Sequence, residues 1–240
     1  MMFFRPLPAL TVACALLFAF LIGLGVWQLQ RLQWKLGLIA QVNAHMSAPP
    51  IALDRALALG ADAQYRRVAL HGRFDNAREA YVFGTGVEGA PVFHVIVPFR
   101  TDDGRLLLVD RGIVPRDLRN PATRPDGIRS GETGLVGVWH DPEPPGPFTP
   151  PPDLQKRVWY SRNVAGMARA DGEVLAADTL VEADATPNPG GWPRGGQTVV
   201  AFRNEHLQYA ITWFLMAAGL LGVYLAYHAS RGRLGLKSRD

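Results

Sequence analysis

Cysteine is all but missing: the 240 residues contain one, Cys14. It lies inside a long apolar run, so the stretch from Arg31 to Glu205 has no thiol at all. That excludes disulfides there, and with them Cys-x-x-Cys oxidoreductase chemistry and thiolate carriers of copper or zinc. Charge is missing in two places as well. No Asp, Glu, Lys or Arg occurs between Arg5 and Arg31, and none between His206 and Arg231. Each gap exceeds the roughly 20 apolar residues that cross a bilayer core. The expectation is a two-span membrane protein, which excludes a plain soluble enzyme.

The net charge of +4 resides in the two ends. Arg5 precedes the first gap, and Arg231, Arg233, Lys237 and Arg239 outweigh Asp240 after the second. The middle is balanced, with 20 basic and 20 acidic side chains. The basic excess therefore gives no support for nucleic-acid binding. By the positive-inside rule both tails are cytoplasmic and the neutral middle is outside. Arg31 and Lys35 argue locally the other way, but long translocated domains are largely exempt. A cleaved signal peptide is the competing reading of the first run. Thr11-Val12-Ala13-Cys14 and Ala13-Cys14-Ala15 look like small-residue processing sites, yet they stand near the start of the run, where processing sites follow it. No Arg- and Ser-rich presequence comes before it, which points to a bacterial inner membrane. The expected division is a cytoplasmic N-terminus over 1–9 and transmembrane helices over 10–30 and 207–229. A periplasmic β-rich domain covers 31–206 between them, and a basic cytoplasmic tail covers 230–240.

Past the first span, Trp27 to His45 reads as a continuing helix, with Trp27, Arg31, Trp34 and Lys35 at helical spacing. Ser47-Ala48-Pro49-Pro50 ends it. Short alternating runs then predict strands at Tyr65–His71, Ala80–Phe83, Val92–Phe99, Leu106–Val109, Thr133–Trp139, Arg157–Tyr160, Val174–Val181 and Thr198–Phe202. Asp102-Asp103-Gly104 predicts a hairpin turn, and Asn163–Arg169 a short helix. The expected fold class is a membrane-anchored α+β protein. Its two transmembrane helices flank an antiparallel β-rich, barrel-like extracytoplasmic domain. Asp141–Asp153 holds seven prolines and reads as a stiff surface loop or as a docking segment. Pro187–Gly196 is also rich in Gly and Pro.

Catalytic constellations are not evident. The outer serines are Ser47, Ser130 and Ser161, and none lies in a Gly-x-Ser-x-Gly elbow. Gly84-x-Gly86-x-x-Gly89 has the letters of a dinucleotide loop without its strand–helix context. Asp102, Asp103 and Glu132 read as turn or solvated positions. Arg111, after a buried-looking strand, reads as half of a structural ion pair. No catalytic role is expected. Of the six histidines, His206 stands apart by its place at the outer start of the second span. On a helix it shares a side with Tyr209 and Trp213, and two antiparallel spans bring Trp27 and Arg31 to the same level. An imidazole, aromatic planes and a cation at a membrane surface suit a planar anionic cofactor such as haem, with His206 on the metal. An interfacial aromatic belt with a snorkelling Arg and a capping-type histidine accounts for the same residues, and one histidine without a visible partner does not by itself decide for haem.

The motifs carry a resemblance. Gly25-x-Trp27-Gln28-x-x-Arg31-x-x-Trp34-Lys35, Tyr65-Arg66-Arg67-Val68 with Gly72-Arg73-Phe74-Asp75, and Leu108-Val109-Asp110-Arg111-Gly112 with Val114-Pro115 form its first part. Pro147-Phe148-Thr149-Pro150 and Arg203-Asn204-Glu205-His206-Leu207-Gln208-Tyr209-Ala210-x-Thr212-Trp213 complete it. The sequence is similar to the surfeit locus protein one family over nearly its whole length. That resemblance implies an assembly factor for haem–copper cytochrome c oxidase in the respiratory chain. Such a factor would bind haem a as cargo through a histidine at the position of His206 and assist its insertion. The implied partners are the oxidase catalytic subunit, the haem a synthesis enzymes and the membrane. The alternative is a membrane scaffold that stabilises oxidase intermediates without touching haem.

Overall fold

A computed structural model describes residues 2–86, 89–198 and 204–236. In chain order its strands and α-helices are β1 (Met2–Phe4), α1 (Pro8–Ser47), β2 (Ile51–Ala52), α2 (Leu53–Leu59), β3 (Arg67–Phe74), β4 (Ala80–Thr85), β5 (Pro91–Thr101), β6 (Leu106–Pro115), β7 (Glu132–His140), β8 (Val158–Trp159), α3 (Val164–Asp171), β9 (Leu180–Ala183), α4 (His206–Ser230) and β10 (Leu234–Leu236). They form two compact units, Met1–Gln41 with Ala201–Asp240, and Val42–Val200. The expected strand at Thr198–Phe202 falls largely outside the described residues.

The first unit is a helix pair. Both α1 and α4 are long and apolar enough to cross a membrane by length and composition. Only 11% of the most apolar window of each is buried inside the protein, whereas a core helix would be mostly covered. What is covered follows one stripe. On α1, Thr11, Cys14, Leu21, Gly25 and Gln28 recur at the three-and-four spacing of a helix seam, and on α4 Ala210, Phe214, Ala217 and Tyr224 do the same. The helices run antiparallel. Thr11 and Tyr224 share a hydroxyl hydrogen bond of 2.7 Å at one end, and a Cβ on Gly25 would sit 2.5 Å from the ring of Phe214 towards the other. Beyond the Thr11–Tyr224 end, β1 and β10 pair antiparallel.

In the second unit, β3, β7, β9, β6 and β5 pair in that order, and β5 returns to β3, which closes a five-stranded barrel. Closure satisfies the backbone groups that an open edge would leave unpaired. β4 extends from the N-terminal half of β5, while β2 and β8 add short parallel pairings to β3 and β4. The expected antiparallel sheet is corrected to a mixed one, because β9 also runs parallel to β6. A parallel neighbour needs a long crossover. The chain between Pro115 and Leu180, which carries β7, β8 and α3, supplies it.

β6 is buried on both faces from Leu106 to Gly112. Leu107 and Val109 enter the core with Val68, Phe99, Trp139 and Val181, while Leu108 enters another with Ile96, Val164 and Met167 beneath α3. Alternation then sends Asp110 and Arg111 to opposite sides of the strand. Asp110 accepts a hydrogen bond from His94 Nδ1 at 2.7 Å and one from Gly112 N at 2.8 Å. Arg162, just before α3, lies 3.9 Å from Asp110, 3.2 Å from Glu182 on β9 and 3.0 Å from Glu143. The network thus ties β5, β6, β9 and the approach to α3 together. Burial works against a charged His94, but the attraction and hydrogen bond of Asp110 outweigh it, so its pKa is raised. Gly112 is the other constraint, with φ of 112° and a backbone bridge from Ile113 to Arg194 on both sides at 3.0 Å. A Cβ there would collide with the carbonyl of Arg194.

Two outcomes follow for stability. Gly112→Ala should cost more than the ~1–3 kcal/mol of a strained backbone position, since the collision adds to it, and a thermal melt of the purified protein would register the drop. A raised folded-state pKa means that the contribution of His94 is complete below the unfolded value near ~6.5 and fades as pH rises through the folded value. The stability difference between the protein and His94→Gln should therefore be largest in mildly acid solution and shrink as pH rises above the ordinary imidazole value of about 6.5.

Candidate functional site

His206 is the first residue of α4, and its side chain reaches the seam between the helices. Its Nδ1–H donates to Gln28 Oε1 at 2.8 Å. An amide oxygen only accepts, so this bond keeps the proton on Nδ1 and leaves the lone pair on Nε2. That is the tautomer of a histidine prepared to ligate through Nε2, with its other nitrogen held by a neighbour. The contrast with His228 is instructive. His228 is fully buried, its Nδ1 donates to Tyr224 O at 2.9 Å, and its Nε2 accepts from Leu7 N at 3.4 Å. Both of its nitrogens serve the fold.

The other four residues expected at this site take different positions around the seam. Trp213 is half-buried beside Phe214. Trp27 and Tyr209 each stand one residue from a seam position, at Gln28 and Ala210, and are 49% and 50% exposed. Arg31 lies one turn further along α1 and stacks its guanidinium over the ring of Trp34 at 4.7 Å. The residue of α1 that meets His206 is thus Gln28, which is neither aromatic nor cationic. A signal for it existed, because Gln28 continues the spacing of Leu21 and Gly25 along the covered stripe.

A second concentration of polar chemistry lies in the β-domain. Glu79 is buried against Arg124, and the hydroxyl of Tyr81 donates to it at 2.6 Å. Burial, and then the bonded carboxylate, push the Tyr81 phenol well above its ordinary value. Arg111 does not form the expected ion pair among the described residues. Its Nη2 donates instead to Gly127 O at 2.6 Å and to Asn188 Oδ1 at 3.2 Å, and it lies over the ring of Phe74 at 4.8 Å. The reason is register: Asp110, the neighbouring carboxylate, is committed to the opposite side of β6. No group of three or more His, Cys, Asp or Glu side chains is arranged to hold a metal ion among the described residues.

Similarity to known proteins extends over both units. A sequence model described as the SURF1 family matches residues 15–218. The Surfeit locus protein 1 of Mus musculus is 37% identical over 214 residues, which cover 82% of this chain and 68% of the mouse protein. That of Homo sapiens is 36% identical over 212 residues, 82% of this chain and 70% of the human protein. A SURF1-like protein of Monosiga brevicollis is 36% identical over 229 residues, 90% of this chain and 87% of its own length. Matching of this extent, across the seam residues and the barrel alike, shows that the chain belongs to the SURF1 family.

Proposed function

We propose that this protein is an assembly factor for haem–copper cytochrome c oxidase, which receives haem a as cargo at the His206 end of the helix pair and assists its delivery to the catalytic subunit. Family membership supports the oxidase role, and the observation that carries the haem reading is the His206–Gln28 hydrogen bond. In this reading α1 and α4 anchor the chain in a bacterial inner membrane. The basic tails face the cytoplasm and the β-domain the periplasm, close to the enzymes that make haem a.

The residues present fit such a cargo. Bound haem would supply an iron able to take an axial imidazole. His206 offers Nε2 for it, and Gln28 holds the ring in orientation. Trp27 and Tyr209 present open aromatic surface on the flanks of the seam, where a macrocycle edge can be covered. Arg31 stacks one face on Trp34 and keeps its in-plane N–H groups available for a propionate. A site that holds through one histidine from the protein and through open flanks suits transfer better than permanent storage.

Co-expression with the haem a synthesis enzymes, followed by pigment analysis of the purified protein, tests the reading. His206→Ala should remove the Soret band and leave the apolar helices intact. Gln28→Leu should weaken retention by about 10–100-fold, the usual cost of a lost orienting partner. Trp27→Ala and Tyr209→Ala should weaken it less, and Arg31→Glu more than Arg31→Ala, because like charge then faces a propionate. Equal haem content in the well-folded protein and in His206→Ala would overturn the haem reading. A colourless protein that still captured oxidase subunits would then make the scaffold the better account.

A further inference from the structure

The β-domain contains a half-open cavity of about 330 Å³ that plays no part in the site at His206. Its wall is apolar along Leu70, Phe74 and Leu135, and polar where Arg111, Arg129 and Asn188 line it. Arg111 is 98% buried, at 2% exposure, and its Nη1 is buried with no hydrogen-bond partner. A buried guanidinium nitrogen without an acceptor costs free energy unless something completes it. Burial pushes the Arg111 guanidinium down to about 10; Glu79 opposes that shift, and Arg124 and Arg129 add to it. Three guanidinium groups thus influence one another around one buried carboxylate, Glu79, which is already paired with Arg124. The other acid at the cavity wall, Asp184, is paired with Arg67 at 3.5 Å. Among the described residues neither Arg111 nor Arg129 has a carboxylate partner, so at neutral pH the cavity wall carries an excess of positive charge.

We propose that this cavity is a binding site for a small amphipathic carboxylate, whose anionic end answers the positive charge of Arg111 and Arg129 and whose apolar body lies along Leu70, Phe74 and Leu135. The volume is at the small end of ligand pockets, which suits a body of one aromatic ring or a short alkyl chain. Two guanidinium groups at the wall, neither with a carboxylate partner among the described residues, supply the attraction for the anionic end. A doubly charged phosphate would face the same apolar wall at a higher desolvation cost. The site is independent of haem handling and stands or falls without it.

The test uses the full chain in lipid nanodiscs, with phenylacetate as probe and calorimetry and thermal melts as readouts. Millimolar phenylacetate should bind and raise the thermal midpoint, while the neutral isostere 2-phenylethanol and inorganic phosphate should do neither. Arg111→Met keeps the volume and removes the cation. It should bind phenylacetate at least tenfold more weakly. Arg129→Gln, which leaves Arg111 in place, should weaken binding several-fold and serves if Arg111→Met fails to fold. His206→Ala should bind the probe as the parent does, which separates this site from the haem reading. The proposal is overturned if phenylacetate neither binds nor shifts the melt, if 2-phenylethanol or phosphate binds as well, or if both arginine variants retain full affinity.

Discussion

Strand β6 is covered on both faces, and most of the β-domain is arranged around that fact. A strand in this position cannot hand its polar side chains to water, so Asp110 and Arg111 had to find partners inside the protein. Because successive side chains point opposite ways, the two could not neutralise each other. Asp110 is answered by His94 and Arg162, which pins β5, β9 and the start of α3 to the barrel. Arg111 is answered only by a carbonyl, an amide oxygen and an aromatic face. Gly112 follows because the Arg194 segment comes against β6 there, where any side chain would collide. The run Asp110-Arg111-Gly112 is thus one structural solution with three requirements, and its unpaid remainder is the unpartnered nitrogen of Arg111.

The helix pair is organised by a different rule. Its helices have little to gain from burying apolar surface against each other if lipid surrounds them, so close approach and hydrogen bonds do the work. Ala210, Ala217 and Gly25 allow the approach, and Thr11–Tyr224 and Gln28–His206 supply the bonds. A polar pair at a helix seam is ordinarily a fastener. Here the fastener also sets the tautomer of an imidazole at the start of α4, where Trp27, Tyr209 and Arg31 leave open flanks. One contact therefore serves both the packing of the helices and the chemistry proposed for them.

The sequence by itself determined the two apolar helices, the end of α1 at Ser47, the hairpin between β5 and β6, the helix at α3 and most strand positions. These are local: absence of charge, period of alternation and turn residues are read within one segment. The place of His206 at the start of α4 was legible too, from its address next to an uncharged run. Tertiary structure alone decided the rest. The direction of β9 beside β6 depends on where a long crossover returns, which no pattern within either strand records. That Gln28 and not Trp27 meets His206 depends on which stripe of α1 faces α4. The partners of Arg111 depend on which face of β6 it occupies and on what the opposing chain offers there. In each case the sequence carries the residue, and the partner comes from a segment far away in the chain.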